Sequence, residues 1–207
     1  MLLEEKMGDS ALFKAILSRR SIRRYRPDPV PQPVIETVLT AATWAASAHN
    51  RQPWRFCVVQ STEQKERLAR AMGDRLRRDL EADGVAAAVI AADTERSYSR
   101  ITSAPVLIAL CLSLADMDRY PDVQRNEKEW VMAVQSTAMA GQNLLLAAHD
   151  QGLGACWMCA PLFCPDVVSA ALTLPEDWQP QALITLGYPA EIREKTRKPL
   201  ETGVVWR

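Results

Sequence analysis

The sequence lacks the short motifs that identify several common cofactor and nucleophile sites. No G-x-G-x-x-G follows a predicted strand, and neither a phosphate-binding P-loop nor a G-x-S-x-G nucleophile elbow is present. Only two histidines occur, His49 and His149, and neither has a position that supports a Ser-His-Asp triad. The sequence therefore gives no indication of a Rossmann dinucleotide site, a P-loop nucleotidase or a serine hydrolase.

Long apolar runs and an excess of one charge are missing as well. No apolar stretch approaches the roughly 20 residues that span a bilayer, and the 25 basic residues are balanced by 25 acidic ones. Dedicated nucleic-acid-binding domains are usually basic, so we expect neither nucleic acid nor a membrane as a partner. The start of the chain turns acidic at Glu4 and Glu5, unlike a signal peptide. We expect a cytoplasmic protein whose five cysteines are reduced.

Hydrophobic periodicity predicts helices and strands that alternate along a single domain, residues 1–207. The predicted helices span about 10–19, 34–46, 62–80, 85–92, 126–150 and 167–172. The predicted strands span 55–59, the apolar run after Pro105, 155–158 and 181–186. From about 190 the chain is polar and is expected to form a C-terminal arm. This order indicates an α+β fold with a modest central sheet. Small residues along 133–141 permit another helix to approach closely, in the core or across a dimer axis.

The densest local charge is the arginine segment, Ser18–Arg26, which reads SRRSIRRYR and holds five arginines in nine residues. Guanidinium groups with an interleaved hydroxyl provide the fixed charge and the hydrogen-bond donors that phosphate recognition needs. Arginines that follow a helix also suit the negative end of its dipole and often only face solvent. The segment alone leaves both interpretations open.

Two further polar stretches are candidate binding groups. The polar loop, Ser47–Trp54, reads SAHNRQPW and is dense in hydrogen-bonding side chains, as a binding loop or an ordinary helix-to-strand connection would be. A second basic group near the C-terminus is either a solvated tail or the second side of a phosphate site. Its members are Arg193, Lys195, Arg197 and Lys198.

The cysteines near the end of the long helix resemble a metal or redox site only in spacing. Cys156 and Cys159 form a C-x-x-C, with His149 and Cys164 nearby. If 155–158 is a strand that continues to Cys159, positions i and i+3 point to opposite faces, so the two sulfurs diverge. Cysteine is also commonly buried as a small apolar residue. We therefore predict neither a metal site nor a disulfide here.

Taken in order along the chain, several of these stretches resemble the FMN-dependent nitroreductase superfamily. The matching stretches are SRRSIRRY, SAHNRQPWRF, GLGACW, ALITLGYP and RKPLE. The resemblance implies a three-layer fold, with a central mixed sheet flanked by helices, in an intertwined homodimer that holds two FMN sites at its interface. It also implies a ping-pong oxidoreductase that takes hydride from NADH or NADPH and reduces a small acceptor such as a nitroaromatic, quinone or enone.

The resemblance assigns cofactor-binding roles rather than a protein nucleophile, because the hydride chemistry belongs to the flavin. Arg23 matches a basic position near the flavin N1 and O2, and the backbone of Cys159 and Ala160 matches a pair beside N5. The remaining matches are to FMN contacts, some of them made across the subunit interface. These residues are Arg19, Arg20, Ser21, Ser47, Asn50, Gln52, Lys195, Arg197 and Lys198.

The chain also departs from the superfamily pattern. Many members have an acidic residue and a glycine where this chain has Cys159 and Ala160, and Arg96 and Arg100 lie near the place of a missing Asn-and-Lys contact pair. The stretches RYPDVQRNEKEWVM and LFCPDVVSAALTLPEDWQP further resemble the reductase domains of bacterial deazaflavin-coenzyme biosynthesis. This likeness gives one alternative function, reduction of a dehydro-deazaflavin precursor. A second alternative, open to the same basic groups, is binding of flavin or deazaflavin without turnover.

Overall fold

The computed structural model describes residues 10–207, so the prediction made from Glu4 and Glu5 lies outside the described residues. Its helices are α1 Ala11–Ser18, α2 Gln32–Thr43, α3 Thr62–Ala82, α4 Ala87–Thr102, α5 Val123–Asp150 and α6 Pro165–Leu172. Its strands are β1 Trp54–Val59, β2 Val106–Leu112, β3 Gly154–Met158 and β4 Gln179–Gly187. Short 3-10 turns span Ala48–Asn50, Ala160–Phe163 and Leu200–Thr202. None of the helices in this part of the chain has both the length and the apolarity needed to cross a bilayer.

The predicted helices and strands are all present, and the largest difference is the extent of α4. The sequence predicted a helix over 85–92, whereas α4 continues to Thr102. Ile90, Thr94 and Ile101 form its buried side, and α4 packs along α3. The charged side chains between them lie on the exposed face and hide this spacing in the sequence.

Every pair of neighbouring strands is antiparallel, in the order β1-β2-β4-β3. The prediction of a mixed sheet is therefore wrong for the four strands, and a parallel pairing occurs only as an isolated bridge between Ser21 and Ala155. The crossover through α5 does bring β3 parallel to β2. However, β4 inserts between them and is antiparallel to both.

Helices cover both faces of this sheet, which confirms the three-layer α+β architecture. Along β2, alternate side chains point to opposite faces. Ile108 and Leu110 pack in a core with residues of α2 and α5, whereas Leu107 and Ala109 pack in a second core with residues of α3, α4 and α6. All seven residues of β2 are buried, so this strand is the rigid centre to which the edges of the sheet are attached.

Candidate functional site

The arginine segment lies along the outer edge of β3. The backbone N–H of Ile22 donates to the carbonyl oxygen of Ala155 at 3.0 Å, and the Ile22 side chain is buried. This approach requires a glycine at 154, because a Cβ there would lie 2.7 Å from Cβ of Ile22. The backbone of the segment is therefore held by the sheet, while its arginines project from that edge.

The second half of the segment is held by the chain that follows β4. Arg26 N–H donates to the carbonyl oxygen of Tyr188, and Ala190 N–H donates to that of Arg24, each at 2.9 Å. The Tyr25 hydroxyl lies 2.7 Å from the hydroxyl of Thr185 inside the protein. Burial raises the pKa of Tyr25 well above its usual range, so this phenol stays neutral and hydrogen-bonded.

A group of positive charges gathers where the segment begins, and we call Arg19, Arg20 and Arg197 the basic cluster. Burial lowers the pKa of Arg19, and the neighbouring charges of Arg197 and Arg20 lower it further. The Nε–H of Arg20 is buried and has no hydrogen-bond partner among residues 10–207. A phosphate group would stabilise positive charges held this close together and would accept a hydrogen bond from the unpaired Arg20 Nε–H. This set of donors therefore fits the FMN phosphate.

Arg19 and Arg20 of the basic cluster line a cavity of about 250 Å³ together with His149. The Ser18 hydroxyl lies 2.7 Å from His149 Nε2. Burial, followed by the charges of Arg19 and Arg20, lowers the pKa of His149. Sequence reasoning weighed His149 only as a triad histidine or a metal ligand and predicted neither role. A position in the last turn of a helix is a weak signal, and its meeting with Ser18 depends on the packing of α1 against α5.

The C-terminal basic residues are separated by the structure into different roles. Arg197 acts electrostatically on Arg19, whereas Arg193 pairs with Glu191 at 2.7 Å. Lys195 and Lys198 are exposed, and within residues 10–207 neither makes a hydrogen bond or an ion pair. Contact of these two lysines with FMN therefore stays a prediction.

The polar loop has an unusual backbone. His49, Asn50 and Gln52 have φ values of 49°, 53° and 51°, in the left-handed region that non-glycine residues rarely adopt. Gln52 N–H donates to the Ser47 hydroxyl oxygen at 3.2 Å, and Ala48 N–H donates to the hydroxyl of the buried Ser136 on α5, also at 3.2 Å. A loop held in this conformation by several contacts is typical of a functional site.

The polar loop and the arginine segment belong to opposite edges of the sheet. The loop leads into β1, whereas the segment lies beyond β3. Four inter-strand spacings of about 4.8 Å separate the two edges by about 19 Å. Ser47, Asn50 and Gln52 are therefore not brought to the arginine segment of their own chain.

Cys159 and Ala160 follow the last residue of β3, at the start of a 3-10 turn, and both are exposed. The Trp157 indole N–H donates to Cys159 Sγ at 3.1 Å. Cys156 and Cys164 are buried, and burial raises the pKa of both thiols. All five cysteines are free, and residues 10–207 contain no group of three or more His, Cys, Asp and Glu side chains placed to hold a metal ion.

A second, larger cavity of about 450 Å³ separates the arginine segment from α4, and we call it the arginine cavity. It places Arg96 and Arg100 beside Arg23. The sequence offered these two arginines only as stand-ins for the missing Asn-and-Lys contact pair and did not predict their approach to Arg23. Arg24, to which the resemblance assigns no cofactor contact, lines this cavity together with Arg193. No local pattern brings these residues together, because they come from three distant parts of the chain.

The sequence profile of the nitroreductase family matches residues 16–188. The chain belongs to the nitroreductase family. The matched range contains the arginine segment, the polar loop and the turn at Cys159 in this family member, and it ends before the C-terminal basic residues.

This nitroreductase-family chain is similar to proteins that are named as flavin or pyridine-nucleotide enzymes. It is 35% identical over 218 residues to an NADH dehydrogenase of Thermus thermophilus, with 93% of this chain and 94% of the relative covered. A Desulfovibrio desulfuricans structure described as a nitroreductase, in complex with FMN, is 26% identical with a TM-score of 0.74, and the match covers 97% of this chain and 98% of the other. An NADPH:FMN oxidoreductase of Vibrio harveyi, complexed with NAD+, shares the fold at 21% identity and a TM-score of 0.72, covering 95% of this chain and 77% of that one.

Proposed function

We propose that the protein is an FMN-dependent oxidoreductase that takes hydride from NADH or NADPH and reduces a small oxidised acceptor. The observation that carries this proposal is the basic cluster, in which Arg19 is held beside Arg20 and Arg197 and a buried donor has no partner. The family and its FMN-bound member support FMN as the anion that fits there.

The residues of the chain position the cofactor and tune its charge. When bound, FMN supplies hydride acceptance and donation at N5. Arg19, Arg20, Ser21 and Arg197 would hold its phosphate and ribityl chain, and Arg23 would stabilise negative charge near N1 and O2. The backbone of Cys159 and Ala160 would lie beside N5. Because these groups orient and stabilise charge, the reaction needs no protein nucleophile.

We propose a homodimer in which each site uses both chains. The polar loop, about 19 Å from the arginine segment of its own chain by strand spacing, would supply Ser47, Asn50 and Gln52 to the partner's flavin. A large apolar surface is left exposed on the single chain, as a dimer interface would be. It includes Leu12, Phe13, Ile16 and Leu17 of α1 and Trp130, Val131 and Met139 of α5. Contact of Lys195 and Lys198 with FMN, a single domain over 1–207 and a cytoplasmic location remain predictions from the sequence.

We propose nitroaromatics, quinones and enones as the class of acceptor, because each of them can accept hydride from an open flavin face in a ping-pong cycle. Reduction of a dehydro-deazaflavin and binding without turnover are not favoured, because two relatives that match nearly the whole chain carry the names of an NADH dehydrogenase and an NAD(P)H nitroreductase. The two stretches that resemble deazaflavin reductase domains are the observation that speaks for the first alternative.

The purified protein tests the proposal directly. It should bind FMN, and under anaerobic conditions NADH or NADPH should bleach the visible absorbance of the oxidised flavin. A protein that gains no flavin absorbance with added FMN would exclude the oxidoreductase. A bound flavin that neither NADH nor NADPH reduces would instead indicate binding without turnover.

A charge-reversal variant tests whether the basic cluster binds the phosphate of FMN. Arg19→Glu should weaken FMN affinity by roughly a hundredfold or more, because it removes a charge-assisted bond and adds repulsion. Arg26→Glu is the matched control, since Arg26 belongs to the same segment but pairs with Asp28 and stacks on Tyr188. Equal FMN affinity of the Arg19→Glu and Arg26→Glu proteins would remove the basic cluster from the site.

A further inference from the structure

The arginine cavity holds more positive charge than the flavin uses. Five arginines line it, and two of them are paired, Arg193 with Glu191 and Arg96 with Asp93. Arg23, Arg24 and Arg100 make no ion pair within residues 10–207. The cavity therefore carries three uncompensated charges in about 450 Å³.

FMN accounts for only part of this charge. In the proposed function the FMN phosphate lies at the basic cluster, so the ring end near Arg23 carries at most the single negative charge of the reduced flavin. Arg100 then remains without an anion, and Arg24 shares the single carboxylate of Glu191 with Arg193, which pairs with it at 2.7 Å. Guanidinium groups bind carboxylate and phosphate through pairs of parallel hydrogen bonds.

The walls of the cavity are fixed before any ligand arrives. Arg96 and Arg100 are four residues apart and so lie on one face of α4, which packs along α3. Arg24 is held by the bond from Ala190 N–H to its carbonyl oxygen. Little further ordering of the backbone is needed for an anion to bind, which favours affinity.

We propose that the arginine cavity binds an anionic group, a carboxylate or a phosphate, of the molecule that reacts at the flavin. This inference rests on the proposed function for the position of the ring. The group belongs either to the oxidised acceptor, which would then be an organic acid, or to the 2′-phosphate of NADPH. The shared chemistry is an anion held by Arg24 and Arg100 while the rest of the molecule lies over the ring.

Matched acceptors with and without a charge provide the test. For the holoenzyme, kcat/KM for 4-nitrobenzoate should exceed that for its methyl ester, and Arg24→Gln or Arg100→Gln should lower the acid-to-ester ratio roughly tenfold. Arg26→Gln is the control variant, because Arg26 lies outside the cavity. The ratio of kcat/KM for NADPH to kcat/KM for NADH, measured on the same proteins, tests whether the anion is the 2′-phosphate of NADPH. A tenfold fall in this ratio, with no change in the acid-to-ester ratio, assigns the anion to the electron donor.

A binding measurement separates this inference from the proposed function. Calorimetric titration of the purified protein with 4-nitrobenzoate and with the ester needs no turnover, and the acid should bind more tightly and lose affinity as NaCl is raised. If NADH and NADPH fail to reduce the flavin, the proposed function fails while this comparison can still be made. Unchanged acid-to-ester and NADPH-to-NADH ratios in both cavity variants would overturn the anion site.

Discussion

At the scale of single residues, Gly154 determines how closely the arginine segment approaches the sheet. Adding a Cβ there brings it within 2.7 Å of Ile22, which is buried against β3. We expect Gly154→Ala to lower the free energy of unfolding by about 1–3 kcal/mol, the usual cost of overpacking. FMN affinity should fall as well, because the segment is displaced. Urea denaturation and flavin titration measure the two effects.

The matched control for that substitution is Gly73→Ala. Gly73 lies inside α3, and a Cβ there would meet no atom within 4 Å. Alanine is favoured over glycine in a helix by up to about 1 kcal/mol, so this variant should be slightly more stable than the wild type. If both alanine variants were equally stable, close packing at Gly154 would not be what holds the segment.

Buried thiol and phenol groups make the free energy of unfolding depend on pH in the alkaline range. Burial raises the pKa of the Cys111 thiol to about 12 and that of Tyr25 higher still. In the unfolded chain these groups titrate near about 8.5 and 10. Above those values the unfolded state has lost protons that the folded state keeps, so the free energy of unfolding falls as pH rises. Their contribution is complete below about pH 8.5 and is lost progressively above it.

The change with pH is measured by urea denaturation between pH 7.5 and about 10.5, a range that brackets the unfolded pKa values. Cys111→Ala should be less stable at every pH but should lose stability less steeply above about pH 8.5. A slope identical to that of the wild type would show that the Cys111 thiol does not contribute to the pH dependence.

At the scale of elements, the polar loop stores backbone strain at three positions. His49 has a φ of 49°, which a β-branched residue tolerates poorly. We expect His49→Val to destabilise the protein by about 1–2 kcal/mol, whereas His49→Gly should cost much less because glycine adopts this conformation freely. Thermal unfolding compares the two variants. Equal midpoints would mean that the loop relaxes when its side chain changes.

The elements themselves were largely predictable because buried side chains repeat with the period of a helix or a strand. The second half of α4 was not predicted, because charged residues outnumber large apolar ones there and obscure the helical spacing. The sheet order was not predictable, because the insertion of β4 between β2 and β3 depends on contacts between strands far apart in sequence. The arginine segment was found by its local density, whereas its neighbours Arg193 and His149 join it only through packing.

At the scale of the whole molecule, the proposed sharing of each site between two chains predicts complementation. Arg19→Glu and Asn50→Glu proteins should each bind FMN poorly. In a mixed dimer, one site combines both substitutions, while the other has the native Arg19 of one chain and the native Asn50 of its partner. Co-expression with two affinity tags should therefore restore FMN to about half of the sites of the purified mixed dimer, since a C2 dimer has two equivalent interfacial sites.

The control is a mixed dimer of Arg19→Glu with Arg20→Glu. Both residues belong to the same basic cluster of one chain, so each site of that dimer contains one substitution and neither is native. Flavin content of the tagged dimers, read from absorbance, should stay low. Recovery in this control, or none with Asn50→Glu, would place the polar loop outside the partner's site.

During translation, the arginine segment is synthesised well before the residues that hold it in place. Ile22 bonds to Ala155, Arg26 to Tyr188 and Arg24 to Ala190, and these partners leave the ribosome long after the segment itself. Ile22, Arg24 and Arg26 thus lack these backbone partners until most of the chain has been translated. The arginine segment therefore reaches its final position only after β3 and β4 have been synthesised, so we expect FMN to bind after translation rather than during it.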